Sequence, residues 1–244
     1  SSLYFPNYDL NLLFKSSYLT QLLHLIFSGL GGFVFLRFLG LSRIVSFMGG
    51  TAFMITPFMI TMIVFGHGSQ MMTAAYIPWI MFLTIKVMQK PIMFNLGLLG
   101  ILMGLQLQRA HAQIAYYTWM LAGSFVLFTL ISTYKFPEKR NNSLYGFGGF
   151  AIAALLGFGI SLLIYLPSLE YTSFSVRGGG VSGGADYNYA TSWSFSPKEL
   201  LTFIIPSAFG FGGQTYWGNM PFTDYPNYMG IVILVLAAIG FVHR

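Results

Sequence analysis

Apolar residues recur along this chain in long runs broken by short polar stretches, without the two-residue alternation of half-buried strands. A hydrocarbon layer about 30 Å thick is crossed by about 20 residues of helix. Runs of that kind fall at roughly 18–39, 44–66, 71–88, 92–108, 113–134, 146–168 and 227–243, the fourth being short. Little more than Gln89-Lys90-Pro91 separates the third from the fourth, which predicts a tight hairpin. The pattern predicts an all-α, polytopic transmembrane helical bundle of about seven spans, a single membrane domain over 1–244 with one long loop at 169–226. Within that loop, Ser196-Pro197-Lys198-Glu199 has the form of a capping box with proline at the first helical position. It predicts a short apolar helix, Leu200 to Ile205, stopped by Pro206. Such a helix is too brief to cross a bilayer and suits its outer interface.

Composition agrees with the pattern. Of 244 residues, 55% are hydrophobic, 18% aromatic and only 7% charged, and the mean hydropathy is +0.68. Soluble domains carry about 25% charged residues, so an ordinary cytosolic enzyme and a disordered tail are excluded. The net charge of +6 does not make a nucleic-acid binder, because the twelve basic residues form no stripe or patch. With no cysteine, disulfides, thiolate metal sites and cysteine nucleophiles are excluded as well. The chain begins with Ser1, carries no signal-peptide pattern and closes on the apolar run Ala237 to Arg244. We expect it to be a piece of a longer protein.

Charge distribution then predicts orientation. Alternate connections carry Arg37 and Arg43, Lys86 and Lys90, Lys135, Lys139 and Arg140, and Arg244, with Glu138 their one acid. The opposite set carries Lys15, Arg109, Arg177 and Lys198 against Asp9, Glu170, Asp186, Glu199 and Asp224. By the positive-inside rule the first set faces the cytoplasm. The N-terminal segment and the 169–226 loop therefore face the periplasm or the cell exterior.

No Asp, Glu, Lys or Arg falls mid-way along a predicted span, which counts against ion-coupled transport and proton relays. Polar chemistry gathers instead at the outer helix ends. Gly66-His67-Gly68-Ser69-Gln70 caps the second span, and Gln106 through Gln113, with Arg109 and His111, joins the fourth to the fifth and runs on to Tyr116 and Tyr117. Glu170 ends the sixth span, and His24 lies about two turns inside the first by the helical rise. Helices polar at one end only predict a cavity open to one side. Each histidine also has a plainer reading, as an interfacial side chain bonded to a nearby carbonyl. Arg109 reads either as an interfacial anchor or as a partner for a lipid phosphate. A divalent metal would need a carboxylate such as Glu170, and the His-x-x-x-His and His-x-Glu spacings are missing. Glu199 reads as the capping partner alone. The glycine-rich stretch 177–186 lacks the Lys-Ser/Thr of a phosphate loop and reads as a mobile loop. Aromatic residues crowd the outer loop, among them Tyr187, Tyr189, Trp193, Tyr216, Trp217 and Phe222. They read as an interfacial belt, with Trp217 between Gly213-Gln214 and Gly218 also suited to stacking on a sugar ring.

Several of these segments resemble the bacterial YfhO family of membrane proteins. They are Gly66-His67 with Gln70, Tyr76 and Pro78; Gln108-Arg109-Ala-His111-Ala-Gln113-Ile-Ala-Tyr116-Tyr117; Asp186 through Leu200; and Tyr216-Trp217-Gly218-Asn-Met-Pro221-Phe222-Thr223 followed by Pro226-Asn-Tyr228-Met-Gly230. The likeness runs through most of the chain. It implies a relative of the GT-C glycosyltransferases, which transfer a sugar from a polyprenyl-phosphate carrier to an acceptor outside the membrane. On that resemblance Arg109 and Arg177 lie near the phosphate. His67, Gln70, His111 and Gln113 line the polar cavity, Tyr116, Tyr117 and Trp217 contact sugar or lipid, and Glu170 orients a histidine or the acceptor. The resemblance places the catalytic carboxylate in an earlier outer loop, upstream of this chain, since the context Pro6-Asn7-Tyr8-Asp9-Leu10 differs from that motif. It also implies a bacterial cytoplasmic membrane, with membrane lipids and a glycan, lipid or protein acceptor as partners. A flippase or other transporter using the same outer cavity is the second reading; it predicts polar residues continuing to the inner side and inverted repeats. A structural scaffold of the cell envelope is the third.

Overall fold

The computed structural model describes residues 17–172, 187, 191–192, 194–221, 223 and 227–242. Arg177, the glycine-rich stretch 177–186, Asp9, Lys15, Asp224, Arg244, Tyr189, Trp193, Phe222 and Tyr225 lie outside the described residues. The described residues are overwhelmingly helical and contain no β-strand. In chain order the helices are α1 (Ser17–Phe38), α2 (Arg43–Met54), α3 (Pro57–Val64), α4 (Gly68–Ala74), α5 (Ile77–Gln89), α6 (Met93–Leu107), α7 (Ala112–Thr133) and α8 (Pro137–Thr172), and then α9 (Ile231–Val242). Two short 3-10 turns, η1 (Pro197–Phe203) and η2 (Gly213–Thr215), lie between α8 and α9.

Among the described residues, five segments are long and apolar enough to cross a membrane: Tyr18–Phe38, Arg43–Val64, Gly68–Gln89, Ala112–Thr133 and Pro137–Glu170. The runs expected at 92–108 and 227–243 form apolar helices of only 15 and 12 residues. Two runs are interrupted where the sequence pattern showed none. The 44–66 run is divided between α2 and α3, and the 71–88 run between α4 and α5. Proline explains both breaks: Pro57 and Pro78 stand in the first turns of α3 and α5, where proline's missing N–H costs nothing and its fixed φ favours a new start.

The chain folds as two compact units, the first comprising residues 1–54 and 67–167, the second 55–66 and 168–244. The division within α8 follows Pro167, whose ring removes a helical N–H donor.

In the first unit α5 is the central helix. Tyr76, Ile80, Leu83 and Val87 recur at helical spacing and pack with Leu96, Leu99 and Met103 of α6, Ala122 of α7 and Ala153 of α8. Glycines set how closely the helices approach. A Cβ on Gly32 would lie 3.0 Å from the Cα of Gly50, bringing α1 and α2 backbone to backbone. A Cβ on Gly104 would lie 2.7 Å from Ile160 Cβ, and one on Gly157 would lie 3.0 Å from the carbonyl of Gly100, forming a matching seam between α6 and α8. Trp79 fixes α5 on α1, donating from Nε1 to the Phe27 carbonyl at 2.9 Å while stacking on the Phe27 ring.

These contacts give the first unit two distinct ends. At one, Asn142 Nδ2 donates to the carbonyls of Met88 and Gln89 at 3.3 and 3.2 Å, closing the last turn of α5, and Asn95 donates to Lys90. Lys86, Lys90, Lys135, Lys139 and Arg140 belong to this basic end. At the other end the α6–α7 corner meets α4 and the start of α1.

Candidate functional site

That second end holds most of the polar side chains singled out in the sequence. The corner Gln108-Arg109-Ala110-His111 turns the chain from α6 into α7, and Ala110 makes the turn with φ of +63°. It is the one non-glycine residue with positive φ among the described residues. An L-residue with a Cβ is disfavoured there, and such strain persists only where surrounding structure enforces it.

Beneath the corner, Gln106 is fully buried and joins three helices. Its Nε2 donates to the Thr73 carbonyl of α4 at 3.2 Å and to Thr118 Oγ1 of α7 at 2.9 Å. Its Oε1 accepts from Trp119 Nε1 at 3.2 Å, and the Thr118 hydroxyl in turn donates to the Ile114 carbonyl. Gln108 is also buried and donates from Nε2 to Ile160 of α8 at 3.1 Å, while its Oε1 has no partner among the described residues. Tyr165 donates its hydroxyl to the Leu107 carbonyl at 3.3 Å.

Arg109 is wholly enclosed, at 0% exposure, and donates from Nε to the Leu105 carbonyl at 3.3 Å. The sequence reading set it beside a bound phosphate in an open cavity; in the described conformation it is interior. Its guanidinium lies within electrostatic reach of both Tyr76 and His24. Burial lowers its pKa from the usual arginine value, with Tyr76 opposing. His24 is buried too, its ring centroid 6.1 Å from that of Tyr76. Its Nδ1–H donates to the Thr20 carbonyl at 2.8 Å, which fixes the tautomer and leaves Nε2 as the acceptor nitrogen. The sequence noted the depth of His24 but did not count it or Tyr76 in the site. Their residue types and polar positions near the helix ends were the available signal.

His67 and His111 stand at the N-caps of α4 and α7 and lie close enough to interact electrostatically. Burial lowers the pKa of His111 below the usual histidine range, and His67 acts in the same direction. The Nδ1 of His111 is buried without a hydrogen-bond partner among the described residues. Gln70 is half-buried one turn beyond His67, its backbone N–H donating to the His67 carbonyl. Gln113 is exposed on the first turn of α7 and donates from Nε2 to the Tyr117 hydroxyl at 2.9 Å; Tyr116 and Tyr117 are exposed, with ring centroids 5.8 Å apart. His67, Gln70, Arg109, His111, Gln113, Tyr116 and Tyr117 thus all fall at one end of the first unit.

Glu170 and Trp217 belong to the second unit. Glu170 is exposed in the last turns of α8, and Trp217 is exposed with its ring centroid 4.7 Å from that of Phe209. Among the described residues no group of three or more His, Cys, Asp or Glu could hold a metal ion. The second unit has its own polar centre in Glu199, only 1% exposed. Its Oε2 accepts from the Ser196 backbone N–H at 3.0 Å, its Oε1 accepts from the Tyr216 hydroxyl, and the Asn219 backbone bonds to it as well. The Met220 N–H donates in turn to the Tyr216 oxygen at 2.9 Å. Gly218 is required here, because a Cβ at that position would lie 2.3 Å from Glu199 Oε1. The capping role read from sequence is present, but the carboxylate also binds a loop some 17 residues away.

Fold and site together define an all-helical protein with helices of membrane-crossing length and a histidine- and arginine-bearing corner at one end of its larger unit. The chain matches no family model, no curated protein and no solved structure.

Proposed function

We propose that the chain belongs to a membrane glycosyltransferase of the GT-C and YfhO type, transferring a sugar from a polyprenyl-phosphate carrier to an extracytoplasmic acceptor. In this reading it crosses a bacterial cytoplasmic membrane several times, with its site toward the periplasm or cell exterior. The observation that supports it best is the strained α6–α7 corner, which holds a buried guanidinium on one side of Ala110 and, on the other, an imidazole whose buried Nδ1 has no partner from another residue among the described ones. Transfer breaks the bond between the sugar's anomeric carbon and the carrier phosphate and forms one to an acceptor hydroxyl, whose proton leaves to a base. A guanidinium offsets charge on the departing phosphate. Neutral His111 accepts a hydrogen bond from a sugar or acceptor hydroxyl, and Tyr116 and Tyr117 offer ring faces to sugar or lipid. Arg109 is enclosed, so the carrier reaches it when the corner opens. The resemblance assigns the catalytic carboxylate to an upstream loop.

The test uses the full-length protein in membranes supplied with a radiolabelled polyprenyl-phosphate sugar. Losing a guanidinium that offsets developing phosphate charge costs about 2–4 kcal/mol of transition-state stabilisation. Arg109→Ala is therefore expected to lower transfer well over tenfold, and His111→Ala to lower it at unchanged thermal stability. Near-normal transfer in both variants sinks the proposal. Label that crosses the bilayer but stays on the lipid supports the transporter instead.

A further inference from the structure

The second unit is inverted relative to a water-facing protein around η1. The one carboxylate of this turn, Glu199, is buried and fully hydrogen-bonded, whereas Leu200, Leu201, Ile204 and Ile205 are each at least 50% exposed. A turn folded against water would reverse that order, since exposed branched aliphatics gain nothing from solvent and a buried carboxylate must be compensated. Compensation comes from Ser196 at the start of the turn and from Tyr216 and Asn219 in a more distant loop, which holds the carboxylate inward and leaves the aliphatic face outward.

The depth of this face is set by a second contact. The Met229 N–H donates to the Phe203 carbonyl at 3.3 Å, which ties the end of η1 to the residue just ahead of α9. All twelve residues of α9 are non-polar, and none is buried. Its first turn is capped by the Tyr228 hydroxyl, which accepts from the Ile231 N–H at 3.0 Å. Tyrosines concentrate where a helix enters the headgroup layer. A turn bonded to that entry point lies at the same level.

We propose that Leu200, Leu201, Ile204 and Ile205 form a membrane-dipping turn, seated in the boundary between headgroups and acyl chains, with the Glu199–Tyr216 network as its rigid backing. The occupant of this face is the lipid bilayer itself. The proposal rests on the reading of the chain as a membrane protein, and the experiment separates the two.

The full-length chain is reconstituted in phosphatidylcholine–phosphatidylglycerol vesicles with a nitroxide on Leu201→Cys or Ile204→Cys, with Leu127→Cys of α7 as the lipid control and Lys139→Cys as the water control. These 244 residues contain no native cysteine, and any cysteine elsewhere in the full-length chain is first replaced by serine. Collisions with oxygen, which partitions into lipid, are compared with collisions with a water-soluble nickel chelate. The expected result is oxygen-dominated relaxation at 201 and 204, as at 127, and nickel-dominated relaxation at 139. Nickel-dominated relaxation at 201 and 204, with oxygen dominant at 127, overturns the dipping turn and leaves the membrane reading standing. Exclusion of both reagents at 201 and 204 also overturns it, because protein then covers the face. Nickel dominance at 127 as well overturns both. Two independent label positions guard against one substitution disturbing the turn.

Discussion

Gln106 shows how one side chain can hold three helices. Both ends of its amide are occupied, by Thr73 and Thr118 on one side and Trp119 on the other. Replacing it with leucine leaves the Trp119 N–H and a Thr118 hydroxyl lone pair without this partner away from water, and the Thr73 carbonyl with only its backbone bond from Tyr76. Gln106→Leu is expected to destabilise the first unit by about 1–3 kcal/mol, read as a lowered midpoint of thermal unfolding in detergent. Glu199 makes a prediction in pH. Burial alone would raise its carboxyl, but donors from Tyr216, Ser196 and Asn219 outweigh burial and hold it below the ordinary carboxylate value. Its stabilisation is therefore present above the unfolded carboxylate pKa and is lost as pH falls through the lower folded value. Tyr216 is raised by burial and by its carboxylate partner, so its contribution is present below the usual phenol pKa and is lost as pH rises through the higher folded one. Limited proteolysis of the 194–221 segment across pH is expected to show protection between these limits and cleavage beyond them. For Glu199→Gln the acid-side loss should disappear. Little of this was legible beforehand. The Ser196–Glu199 spacing announced a cap, but nothing local announces a partner at 216, and the three residues bound by Gln106 are up to 33 positions away.

At the scale of elements, glycine separates contacts that matter from those that do not. On α6, Gly104 faces Ile160 and the Gly157 carbonyl, whereas Gly159 of α8 has nothing within 4 Å of a Cβ. Gly104→Ala is expected to lower stability by about 1–3 kcal/mol through overpacking. Gly159→Ala is expected to raise it by up to about 1 kcal/mol through helix propensity. Denaturation of the two variants under the same conditions checks the pair, and equal effects would refute the seam. Helix existence was readable because hydrophobic run length is a strong signal. The breaks at Thr56-Pro57 and Tyr76-Ile77-Pro78 were not, because an uninterrupted apolar run hides a proline that begins one helix as readily as one that kinks another. The third predicted run in fact opens earlier than its hydropathy suggests, at Gly68, since Ser69 and Gln70 are polar but already helical.

For the whole molecule, the testable quantity is sidedness. The first unit separates a basic end, at Lys90 and Lys139, from an end carrying His67 and His111. If the positive-inside reading holds, single cysteines at His67 and His111 react with a membrane-impermeant maleimide in intact cells. Cysteines at Lys90 and Lys139 react only after the cells are opened. The reverse labelling pattern would invert the molecule and remove the site from the extracytoplasmic side. Much of this arrangement was legible, since polar and basic positions alternate along the chain as its hairpins alternate in space. The enclosure of Arg109 was not, because burial at a corner depends on what His24 and Tyr76 bring from helices far apart in sequence.

The glycine seam between α6 and α8 has a mechanical consequence. At this seam each glycine takes the other helix's carbonyls and the Cβ ends of Ile160, Leu156 and Met103 directly against its backbone, so sliding or rotation must lift one helix off the other. Those two helices act as a stiff spine. α7 meets them through Ala122 in the shared core and through Thr118 and Trp119 on Gln106, and a Cβ at its Gly123 would have nothing within 4 Å. A swing of α7 on Ala110, which the proposed entry of a carrier at the corner requires, would turn against this spine as its fixed post and would first break the bonds of Gln106 to Thr118 and Trp119.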